Sequence, residues 1–136
     1  MANYKIEELE GIGPVIGEKL RGAGVTDTDG LLSAGKTKKG RRDLASNSGI
    51  GEAQILKFVN MADLFRITGV GSEYAELLEA AGVDTVPELA QRNGTNLAAK
   101  LSEVNETKKL VRTLPSEKSV NGWIAEAQRL PRVVEY

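Results

Sequence analysis

The chain has 136 residues, 18 basic and 19 acidic side chains, a formal net charge of −1, and 40% hydrophobic but only 4% aromatic residues. That length supports one substantial core or two small helical units sharing one. The core must be aliphatic, and any nucleic acid would have to be met by a local basic patch, because the overall charge offers none.

Cysteine and histidine are both absent, which removes disulfides, thiolate metal sites, the usual general base and the commonest zinc ligand. An enzyme would have to work with carboxylates, lysines or hydroxyls. No apolar run approaches the roughly 18 residues of a membrane span, and Met1-Ala2-Asn3-Tyr4-Lys5 leads into acidic residues, unlike a signal peptide. The expected location is the cytoplasm.

In chain order, residues 3–10 alternate Tyr4, Ile6 and Leu9 with charge and read as a short lead-in helix or turn. Gly11-Ile12-Gly13-Pro14 follows, a sharp turn onto a helix, with proline at the first helical position where its missing N–H costs nothing. Such a turn leaves backbone N–H groups unpaired at the positive end of a helix dipole, a ready anion site. Ile16, Leu20 and Ala23 recur on one face of a helix over 14–23, and Gly24 is its left-handed stop. Gly17 costs that helix about 1 kcal/mol relative to alanine and implies close approach of a neighbouring helix.

Thr26 or Asp27 caps the next helix, anchored by Leu31 and Leu32 and stopped at Gly35. A helix over 37–47 turns Leu44 and Ala45 inward and Lys38, Lys39, Arg41 and Arg42 outward. With Lys36, the block 36–42 carries five cations and no acid. Gly49-Ile50-Gly51 is a second glycine turn, followed by a strongly apolar helix over 52–65 that has the length and apolarity to bridge two units.

The second half repeats the first. Ile67-Thr68-Gly69-Val70-Gly71 aligns with Leu9-Glu10-Gly11-Ile12-Gly13 at an offset of 58 residues, and the match runs on through Ala81-Gly82-Val83 to Leu89, as duplication of a supersecondary unit predicts. Asp84 and Pro87 start a short helix broken at Asn93-Gly94, and a helix over 96–104 presents Leu97, Leu101 and Val104. A last helix over 116–130 is built around Val120, Trp123, Ile124 and Ala127, with Trp123 in the core. The tail 133–136 is placed to pack on the other half.

Gly11-Ile12-Gly13-Pro14, Gly17, Leu20 and Ala23-Gly24-Val25 resemble the helix-hairpin-helix motif of DNA polymerases, ligases and repair nucleases, which hold a backbone phosphate without reading bases. The resemblance implies an all-α fold of two tandem helix-hairpin-helix, SAM-like units, 1–64 and a diverged 65–136. Nearly the whole chain also resembles a family of free-standing tandem proteins of this kind, catalogued as a domain of unknown function. Carried over, the phosphate-binding amides fall on Gly11, Gly13 and Ile16. The basic residue falls on Lys19, with Arg21 beside it and Lys38, Lys39, Arg41 and Arg42 as further cations. Carbonyls of Glu7, Leu9 and Ile12 would take a monovalent cation.

The second hairpin supplies amides at Gly69, Gly71 and Tyr74, but Leu77 replaces the lysine. Glu73, Glu76 and Glu79 oppose a phosphate, each by about 1 kcal/mol in water. Catalysis is not expected: there is no Walker loop, and Asp27-Thr28-Asp29 lacks the rest of a calcium loop. The leading expectation is therefore non-catalytic, sequence-independent binding of nucleic acid, foremost DNA, with no cofactor, membrane or small-molecule substrate. The alternative is an adaptor for protein interaction or self-association in which the hairpins are structural.

Overall fold

Side-chain caps and left-handed glycines set the helix boundaries. In the computed structural model of the chain, which describes residues 3–136, a 3₁₀ turn at Ile6–Glu8 precedes α1 (Pro14–Gly22), α2 (Thr28–Gly35), α3 (Lys38–Ser48) and α4 (Glu52–Leu64). The second half carries α5 (Ser72–Ala80), α6 (Val86–Ala90), α7 (Gly94–Lys108) and α8 (Glu117–Arg129). The described residues are all-α, and the opening Met1-Ala2 lies outside them. Asp27 caps α2 by accepting the Gly30 N–H at 2.7 Å, Thr37 caps α3 through Gly40 at 3.0 Å, and Asn93 and Ser116 do the same for α7 and α8 at 3.0 Å each.

The duplication is visible in the backbone. Gly24 and Gly82, both left-handed, follow α1 and α5, and the next residues, Val25 and Val83, donate back to Leu20 and Leu78 at 2.9 Å each. The offset of 58 holds through the starts of α2 and α6, but α4 and α8, of 13 residues each, are 65 apart. The extra seven residues accumulate ahead of α8. There α7 runs to Lys108, beyond the 96–104 expected, and Asn105 staples the following loop by bonding both the N–H and the C=O of Val111.

One aliphatic cluster runs through both halves, from Ile6 and Leu20 through Ile55 and Leu64 to Leu78, Leu89 and Val120. Helix α4 packs on α2 and α3 and also on α5, which is the bridging role its apolar sequence implied. A polar knot closes the joint. Asp63, with no exposed surface, accepts from Arg66 at 2.8 Å and from the Val86 N–H that opens α6 at 2.8 Å. The other arm of the Arg66 guanidinium donates to the Pro131 carbonyl at 2.6 Å.

From there the tail crosses to the first half as expected. Val134 is buried, the Glu135 N–H donates to the Lys36 carbonyl at 2.7 Å, and the Tyr136 hydroxyl donates to Asn60 at 3.0 Å. Because Asp63→Ala would leave the buried Arg66 charge and the Val86 amide without their acceptor, it should lower unfolding stability by about 3–5 kcal/mol. Urea denaturation at neutral pH measures this.

Candidate functional site

Two glycines shape the first turn, and the fold requires only one of them. Gly11 has φ +91°, the left-handed region, so its backbone calls for glycine, and a Cβ on it would stand in ordinary contact, 3.4 Å from Phe58 of α4. Gly13 has φ −91° and ψ −170°, extended backbone open to any residue, and nothing lies within 4 Å of a Cβ there. The turn closes when Ile12 donates to the Leu9 carbonyl at 3.2 Å, and Gly13 then caps α1 through its carbonyl, which accepts from Gly17 at 2.9 Å.

The amides of Gly11, Gly13 and Ile16 donate to no backbone acceptor among the described residues. Gly11 and Gly13 are exposed and Ile16 is half-buried. Free N–H groups and the positive end of the α1 dipole thus coincide on an open surface.

The cations of the sequence reading separate into different environments. Lys19 is exposed on α1 and has no carboxylate within ion-pair distance among the described residues. Arg21 is bound to the Glu7 carboxylate, and the same carboxylate occupies the space a Cβ at Gly17 would enter. The close neighbour is therefore a side chain of the lead-in turn, where a helix was expected.

Arg41 was expected outward and is instead buried, 6% exposed, donating to the Gly35 carbonyl at 2.9 Å with its guanidinium 5.9 Å from the centre of the Tyr136 ring. Its position three residues before Leu44 and seven before Ser48 places it on the inward face of α3. Lys39 pairs with Asp43 at 3.4 Å, and Arg42 is exposed. Lys38 lines a hollow over Ala53 and Leu56. Those residues lie on the side of α4 away from Phe58 and Gly11, so Lys38 does not join the first turn.

At the second turn, Gly69 has φ +88° with the Trp123 indole nitrogen 3.5 Å from a Cβ, while Gly71 is extended and open. The amides of Gly69, Gly71 and Tyr74 again donate to no described backbone acceptor. Leu77, in the place of Lys19, is buried. A cation stands here beside an acid: Arg112 and Thr113, from the loop ahead of α8, line a hollow of about 470 Å³ with Gly69, Gly71, Glu73 and Tyr74. Tyr74 holds that loop by donating to the Thr113 carbonyl at 3.0 Å. Sequence reasoning did not single out Arg112 for this turn. The signal that points to it is the slip in repeat offset from 58 to 65.

Residues 10–130 match the family described as Domain of unknown function (DUF4332). The chain belongs to this family. No curated protein and no solved structure matches it. The DUF4332 match takes in both glycine turns and all eight α-helices of the described residues, and leaves out the 3₁₀ turn and the tail beyond 130.

Between the two turns, the DUF4332 domain concentrates negative charge. Burial, then repulsion from Glu10, pushes the Glu76 carboxyl above the ordinary carboxylate range, with Glu79 and Glu73 adding to it and Lys57 opposing. Glu79 is raised chiefly by burial, eased by Lys57 at 3.8 Å. The acids of α5 thus act together with Glu10, which adjoins Gly11 of the first turn.

A carboxyl whose folded pKa is raised destabilises the fold above that pKa, and the penalty fades as pH falls through it. Glu76→Gln should therefore raise the melting temperature at pH 7. The gain should be gone below the ordinary value of 4.5, which thermal melts across pH 4–8 will read.

Proposed function

We propose that this chain binds nucleic-acid backbone, DNA foremost, without reading sequence and without catalysis, through the Gly11–Gly13 turn, the Ile16 amide and Lys19. The observation that carries the reading is the contrast between the two glycines. Gly11 is required by its left-handed backbone, whereas Gly13 sits in ordinary backbone with open space beyond it, so close access to the amides is what its missing side chain provides. The resemblance of this stretch to helix-hairpin-helix motifs supports the same use. With Lys19 as the unpaired cation of the turn and Arg21 shared with Glu7, each site engages few phosphates, and affinity should fall with salt with a slope of about −2 to −3 in log–log form.

The cation expected beside the hairpin has two open oxygens. The Leu9 carbonyl already accepts from Ile12, while those of Glu7 and Ile12 accept from no backbone N–H among the described residues. A monovalent ion held there would screen phosphate from Glu7 and Glu10.

The test is fluorescence anisotropy against short duplex and single-stranded DNA at low and near-physiological salt. Serine is a strong N-cap whose hydroxyl takes the N2 or N3 amide. Gly13→Ser should therefore leave the melting temperature unchanged or raised, yet weaken DNA binding about tenfold by occupying the Val15 or Ile16 N–H. Lys19→Glu should weaken it comparably and flatten the salt dependence, and Arg112→Glu should have the smaller effect. No binding at low salt, or binding indifferent to both first-turn variants, overturns the proposal.

A further inference from the structure

Glu52, Ala53, Leu56, Lys57 and Asn60 follow helical spacing along the outer face of α4 and are exposed or half-buried. Two adjoining hollows, of about 280 and 250 Å³, share Ala53 and Leu56 as their floor. One is edged by Lys38 and Arg41 and by Tyr136, which remains 60% exposed. The other is edged by Glu79 and Asp84. The face therefore has an apolar centre with a small residue in it, a rim near the start of α4 where Lys38 and Arg41 outweigh Glu52, and a rim toward its end where Glu79 and Asp84 outweigh Lys57.

We propose that this face is the contact surface of a two-fold symmetric dimer of the chain. A two-fold interface needs one self-complementary patch, and a patch with opposite charges at its two ends meets that condition when two copies pack antiparallel. About an axis through Leu56, the Leu56 side chains of the two copies meet at the centre. Ala53 lets the helices approach, and Lys38 of each copy faces Asp84 of the other. A partner of uniform charge would be repelled at one rim or the other, which disfavours a simple basic or acidic segment in this groove. Lys57 is already engaged with Glu79 at 3.8 Å, so Asp84 carries the unpaired charge of that rim.

Phe58 lies about 200° around the helix from Leu56, and Gly11 packs on Phe58, so the dimer leaves both first turns uncovered. The proposal stands independently of nucleic-acid binding.

Sedimentation velocity over a wide concentration range tests it. The wild-type chain should show a concentration-dependent monomer–dimer equilibrium, and Leu56→Glu should abolish it. Lys38→Glu and Asp84→Lys, both at accessible positions and outside the core, should each raise the dissociation constant about tenfold or more. An equimolar mixture of those two single variants should regain wild-type affinity, because in the mixed dimer both rim pairs are again of opposite sign. A chain that stays monomeric throughout, a dimer that neither charge variant weakens, or a mixture no tighter than its components overturns the proposal.

Discussion

A carboxylate with no exposed surface must find all its hydrogen bonds inside the protein, and where Asp63 finds them fixes how the two halves meet. Thr85, at the N-cap of α6, makes no side-chain capping bond. Asp63 serves in its place, reaching across from the end of α4 to the Val86 N–H while its other oxygen takes Arg66. Apolar burial along α4 supplies more free energy than this knot but has no direction. A buried ion pair repays its desolvation only in good geometry. The knot therefore selects one register of α6 and of the tail against α4 among those that the aliphatic core alone would tolerate.

The same place is used in the first half with other chemistry. Asp63 stands 58 residues after Lys5, and Val86 stands 58 after Thr28. There the lead-in segment does the holding: the Thr28 N–H donates to the Tyr4 carbonyl at 2.8 Å, and Lys5 and Asp27 form an isolated antiparallel bridge. In both halves the segment before the glycine turn ties down the second helix after it, and the turn and the first helix are held between. Only in the second half is that segment the end of a long helix, which is how the duplicated unit gained its rigid joint.

Local chemistry was legible in the sequence, and tertiary chemistry was not. Asp27, Gly24 and the Pro14 start are decided within a few residues, and they lie where capping places them, whereas Gly35, read as a helix stop, makes room for Val59 of α4. Arg41 shows the limit. Within a run of cations it reads as a solvated face, yet its spacing to Leu44 carries it inward, where the Gly35 carbonyl and the Tyr136 ring from the far end of the chain satisfy it. Glu7 filling the space above Gly17 and Arg112 arriving at the second turn are likewise long-range facts. The amides of the first turn lie where the glycine pattern put them, but the cations around them were assigned by proximity in sequence. Lys38 and Arg41 belong to the opposite side of α4.

That side-to-side division of α4 matters for an almost neutral protein. Its inward face, through Phe58, props the left-handed Gly11, so the turn inherits the rigidity of the core, and its outward face is free to meet another molecule. One turn with one unpaired lysine is a weak anchor on a phosphate backbone, where affinity grows with each charge neutralised. Pairing copies through the outward face would set two such turns on one rigid body, and the second contact would then form at an effective concentration fixed by the dimer geometry. A chain of net charge −1 would thus gain affinity by multiplying a small site, without accumulating the basic surface that most backbone binders carry.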